Sequence, residues 1–136
     1  MSSIIEDVAS MSEWVAKALE SSGYRADFSI ESLAEIDRFI DDNSINGVAN
    51  PNGMLVDGLG KKLFALGAYV GETLRRRHGG VWEADDSDPR GEINATLVLP
   101  GGGQVWPVQR VINRFKRGDE ESIRVYGLMV GNSQNS

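Results

Sequence analysis

The chain has no cysteine and a single histidine, His78, among its 136 residues. Without cysteine there is no disulfide, no thiol nucleophile and no thiolate zinc site. One histidine rules out a multi-histidine metal centre, and no bound metal or cofactor is expected. No apolar run approaches the roughly 20 residues that a membrane-spanning helix needs. The first residues, MSSIIEDVASMSEW, are acidic and amphipathic, with no basic region ahead of an apolar one. They do not read as a signal peptide, and a cytoplasmic location is expected. Internal repeats and low-complexity segments are also missing.

What is present is ordinary for a globular domain: 40% apolar and 25% charged residues. The length suits one domain with one core, taken as residues 1–131, followed by a polar tail at 132–136 expected to be disordered. The net charge of −6 is unevenly placed. Residues 1–60 and 81–100 are acidic, while residues 61–80 and 101–136 are net basic. An acidic first half argues against general nucleic-acid affinity, because phosphate contacts need a continuous basic surface. The basic stretches remain candidates for a local anion patch, or for a solvated face.

Residues 4–21 read as a helix: Ile4, Ile5, Val8, Met11, Val15, Ala18 and Leu19 recur at three and four, and Gly23 follows as a stop. Trp14 sits off the centre of that stripe, where it can make a second contact. Tyr24 to Phe28 suit a short strand or an extended lead-in. Ser29 is placed as an N-cap for a helix reaching Asn43. That helix has an apolar face of Ile30, Leu33, Ile36, Phe39 and Ile40. Its other face carries Glu31, Glu35, Asp37, Asp41 and Asp42. Residues 43–53, with Asn46-Gly47, Asn50-Pro51 and Asn52-Gly53, read as a loop.

A long helix is predicted over residues 54–77, closed by Arg75 to His78 and by Gly79-Gly80. Basic residues suit that negative end of the helix dipole. The helix carries Gly67 and Gly71, each costing roughly 1 kcal/mol relative to alanine. Two glycines one turn apart imply close packing against the backbone, expected to seat the helix on a small sheet. Leu59, Leu63, Leu66, Val70 and Leu74 mark one side; Ala68, Glu72 and Arg76 mark the other. Short strands are predicted at 81–84, 93–99 and 104–106, with a hairpin turn at 100–103. Pro107 opens a helix running to Arg117, stopped by Gly118. Residues 122–130 suit a last helix or a strand, with a helix the favoured reading.

The candidate site residues are Glu72, His78, Trp82 and Arg110, as a ligand-binding set rather than a catalytic one. Glu72 could serve as a carboxylate base; an i,i+4 pair with Arg76 on a solvated face is the simpler account. His78 is most simply a cap to the dipole. Asp85, Asp86 and Asp88 cluster, but Pro89 and Arg90 break the calcium-loop order, leaving a polar loop. Gly101 to Gly103 join two strands and lack a following lysine, so they read as a hairpin rather than a phosphate cradle. Arg110, Arg114, Lys116 and Arg117 are expected on the exposed side of their helix. Trp82 and Trp106 bracket the strands as core or groove aromatics.

The segment from Leu66 to Ile123 carries GAYxGE at 67–72, GGxW at 79–82, a hairpin, a helix-opening Pro107 and RFKRGDEESI at 114–123. This pattern resembles a family of small bacterial domains of unknown function, DUF3806, over less than half of the chain. The resemblance implies no catalytic residues. Small acidic chains of this type are also similar in general character to immunity proteins of bacterial toxin systems.

The expected fold is α+β: N-terminal helices and a long central helix packed on a small antiparallel sheet, with one or two C-terminal helices. The expected function is a non-catalytic protein-binding domain of immunity or adaptor type, its acidic helices meeting a basic partner. The alternative is a small-molecule sensor or enzyme with a pocket between the long helix and the sheet. Homo-oligomerisation around Trp14 is compatible with either.

Overall fold

The computed structural model describes residues 3–134. Among these residues five helices, α1 (Ile4–Ser21), α2 (Leu33–Asn43), α3 (Leu59–His78), α4 (Pro107–Arg117) and α5 (Ile123–Gln134), accompany two small antiparallel sheets. Strands β1 (Ser44–Ile45) and β2 (Val48–Ala49) form a hairpin. Strands β3 (Val81–Glu83), β4 (Thr96–Val98) and β5 (Gln104–Val105) pair in that order. The architecture is α+β, with helices packed on a small sheet. No helix among the described residues is long and apolar enough to cross a membrane.

Local chemistry sets most of the boundaries. Ser3 caps α1 through a reciprocal bond pair with Glu6, and the Asp86 carboxylate accepts from the Ile4 N–H at 2.9 Å. Ser29 caps a 3₁₀ turn, Ile30–Ser32, that leads into α2. Residues 24–28 join no sheet and close in a bend at 27–28. They end at Phe28, whose φ of 62° is unusual for a side-chain-bearing residue. The buried Tyr69 hydroxyl takes the Phe28 N–H at 3.0 Å and bonds Ser32 Oγ at 2.6 Å, tying this corner to α3. The segment expected to be loop holds the β1–β2 hairpin. Its Asn46-Gly47 turn has both φ angles positive, the twist a two-residue hairpin needs.

Helix α3 lies at the centre of the molecule, packed chiefly between α1 and α4. Every residue from Leu63 to Leu74 is buried. The expected division into an apolar and a polar side therefore fails: Ala68 and Glu72 are as enclosed as the leucines, because neighbours surround the helix. α3 begins at Leu59 rather than residue 54, since Gly58 takes a left-handed conformation with φ 65°. Strand β4 is shorter than predicted, because residues 91–94 are drawn into turns. α5 continues to Gln134, so residues 132–134 are helical rather than a disordered tail; residues 135 and 136 lie outside the described residues.

The two interior glycines admit different neighbours. A Cβ on Gly67 would stand 2.5 Å from the Val108 Cα of α4. A Cβ on Gly71 would stand 2.2 Å from the Trp82 ring of β3 and 3.0 Å from Pro107 Cγ. Close approach is as expected, but only Gly71 meets the sheet; Gly67 seats α4 on α3.

Candidate functional site

Gly71 leaves room for the Trp82 ring, and that placement decides the fate of Glu72. The Trp82 Nε1–H donates to Glu72 Oε2 at 2.8 Å. Arg75 donates to the same carboxylate through Nε at 2.6 Å and Nη2 at 3.0 Å. Glu72 is only 6% exposed. Burial pushes its carboxyl up, but the bonds from Arg75 and Trp82 outweigh it and leave the group below its ordinary range. The solvated Glu72–Arg76 pair is thus replaced by a clasp in which buried Glu72 is held by buried Trp82 and by half-exposed Arg75. Arg76 turns to Glu13 of α1 at 2.7 Å and stacks 3.6 Å from the Phe28 ring centroid.

The other two candidates lie elsewhere. His78 ends α3 with its Nε2 buried and without a hydrogen-bond partner among the described residues. Its ring faces Gly131 of α5, where an added Cβ would lie 3.8 Å from it. Burial, with help from the Arg77 charge, holds the imidazole below its ordinary pKa. Arg110 pairs with Glu121 and covers the Tyr126 ring at 4.5 Å, in a shallow hollow beside Trp106 and Asn113. No hydrogen bond or ion pair among the described residues joins either group to the Glu72 clasp. The space expected to be a pocket is filled at Gly71 by the Trp82 ring.

The charged stretches are redistributed too. Arg114, expected on the exposed side of α4, is 2% exposed. Its guanidinium reaches Asp37 Oδ1 and Asp41 Oδ1, both at 2.8 Å, and Asp119 at 3.2 Å. Asp37 also accepts from the Ser122 hydroxyl and from the N–H groups of Ile123 and Arg124, so it caps α5 from a distant helix. Glu35 pairs with Arg38, and Asp42 accepts from the Tyr24 hydroxyl. The acidic face of α2 is therefore largely engaged inside the molecule. Asp85, Asp86 and Asp88 bond to nearby N–H, hydroxyl and amide groups, and no metal-holding cluster occurs among the described residues.

A different surface is open. Between α1 and α3 runs an apolar groove of about 200 Å³, floored by Leu19, Phe39 and Leu66 and walled by Trp14 and Met54. Trp14 is 49% exposed and Met54 42%. Lys62 stands at the edge, its ammonium donating to the Met54 carbonyl at 2.6 Å. A second hollow continues past Trp14 to Met11, Gly58 and Lys61. No family model, curated protein or solved structure matches the chain. The off-stripe position of Trp14 was the only trace of this groove in the sequence. Met54 was hidden by its assignment to the long helix, and it lines the groove because the chain stays irregular until Gly58.

Proposed function

We propose that the chain is a non-catalytic protein-binding domain of immunity or adaptor type, taking apolar side chains of a partner in the α1–α3 groove. The carrying observation is the pairing of a half-exposed tryptophan with a half-exposed methionine over an apolar floor. Tryptophan is the side chain most enriched at binding hot spots. Methionine adapts its shape to whatever packs on it. Water released from such a surface favours association. The buried Glu72 carboxylate, already bonded by donors of its own chain, fits an architectural role better than a catalytic one.

The test uses Trp14→Glu, a change at a half-exposed position that should leave melting behaviour nearly intact. Affinity capture from the native cell with the unaltered chain should recover a stoichiometric protein, and the variant should lose it. Equal recovery by a folded variant would move the interface elsewhere. Recovery of nothing across growth conditions at low salt would count against protein binding itself.

A further inference from the structure

We infer that the segment seated in the α1–α3 groove is an amphipathic helix with an acidic flank, an inference that rests on the protein-binding reading of that groove. The two hollows around Trp14 are lined by Lys61 and Lys62 and by no acidic residue, in a chain whose net charge is −6. Among the described residues, seven arginines, including Arg75, Arg76, Arg110 and Arg114, have carboxylate partners. The Lys61 side chain has neither an ion pair nor a hydrogen bond among the described residues, and the Lys62 ammonium is held only by a neutral carbonyl. Both lysines lie in the first turns of α3, which has no acid there. Their charge adds to the positive end of the helix dipole instead of opposing it. An arrangement unfavourable to the isolated helix makes a local positive field beside an apolar surface, and carboxylates on an incoming segment would relieve it.

The walls favour a helix over an extended strand. Along α1 and its C-terminal cap the lining runs from Trp14 to Ser22, roughly 12 Å. Apolar side chains at i, i+4 and i+7 of an incoming helix fill a channel of that length. The strand ladders lie outside the groove lining, so no exposed sheet edge offers backbone pairing there.

The experiment follows the indole N–H resonances of the full chain while it is titrated with three synthetic helical peptides. All share one leucine-alanine face; their outer positions are glutamate, glutamine or lysine. The Trp14 indole should shift, and the Trp82 indole, bonded to Glu72, should stay put as an internal reference. The glutamate peptide should bind roughly fivefold tighter than the glutamine one, as two exposed ion pairs provide. The lysine peptide should bind most weakly, and the spread should shrink at about 0.5 M salt. Lys61→Glu, at an exposed position, should narrow the spread further.

Equal binding of the three peptides would overturn the acidic-flank inference and leave the groove as a protein site. A Trp14 resonance unmoved by every peptide would overturn both. A Trp14 resonance that shifts with protein concentration alone, in a chain that light scattering finds dimeric and whose Trp14→Glu variant it finds monomeric, would make a second copy the occupant and also overturn the inference.

Discussion

Gly60, in the exposed first turn of helix α3, and Gly67 and Gly71, in its buried middle, differ in what a methyl group would meet. Nothing lies within 4 Å of a Cβ at Gly60, whereas Gly67 faces the Val108 backbone and Gly71 faces the Trp82 ring. Gly60→Ala should therefore raise stability by about 0.5–1 kcal/mol, the ordinary helix preference of alanine. Gly67→Ala should lower it by about 1–3 kcal/mol, because a backbone neighbour cannot rotate away. Gly71→Ala should cost a similar amount through displacement of Trp82, about 1–3 kcal/mol. Chemical denaturation of the three variants reads all of these. Opposite signs from one substitution on one helix would establish that packing, not propensity, placed the latter two glycines. At the neighbouring position, Glu72→Ala strands the buried Trp82 N–H and should cost about 1–3 kcal/mol. Glu72→Gln keeps an acceptor for it and should cost less. Glycine spacing made the close approach legible along the chain; which neighbour approached was not, since Val108 and Trp82 sit in other elements.

At the scale of elements, α5 depends on α2 for its start. Asp37 accepts two of its N-terminal N–H groups and holds the buried Arg114 of α4. Asp37→Ala should cost about 3 kcal/mol, since it leaves a buried guanidinium short of a partner. Asp41→Ala should cost under about 1 kcal/mol, because Asp41 is largely solvated and its pairing is screened. Hydrogen exchange should show the Asp37 variant losing protection in α5 while α1 and α3 keep theirs. Uniform loss across all helices would show that the cap is not a separable support of α5. The helix periodicities, the Ser29 cap, Pro107 at the head of α4 and the glycine stops were readable; the Ser3 cap of α1 was not read. The cap of α5 was not: its acceptor lies far along the chain, on a residue whose helix face looked merely solvated.

For the whole molecule, pH should act in two separate windows. His78 has a folded pKa below its ordinary value of 6.5 because burial, then the Arg77 charge, disfavours the imidazolium. Below that value the unfolded chain binds the extra proton more readily, so this stability is fully present above 6.5 and lost as pH falls toward the folded pKa. The melting midpoint should drop as pH falls below about 6.5 in the native chain and stay flatter in His78→Leu. An identical drop in both would acquit His78. The second window belongs to carboxylates. The Ser29 hydroxyl holds Asp27 at about 2, and Arg38 holds Glu35 at about 2. Glu72 is lowered as well, its bonds to Arg75 and Trp82 overcoming burial. Stability from these groups is present above their ordinary values near 4 and is lost as pH falls through the folded ones. A second decline should therefore begin below about pH 4.5, and Glu72→Gln should shallow it.

Helix identity, the helix stops and the α+β class followed from neighbours a few residues apart, because capping, propensity and amphipathic period act within a turn or two of backbone. The destination of the charges did not. Arg114 looked exposed and is buried; Glu72 looked solvated and is enclosed; the α2 acids looked outward and are bonded within. Burial and ion pairing join groups that lie tens of residues apart, and only the packed arrangement of helices says which of them meet. The same packing left Trp14 and Met54 uncovered beside two lysines, a surface assembled from three separate stretches of chain, with Phe39 in its floor.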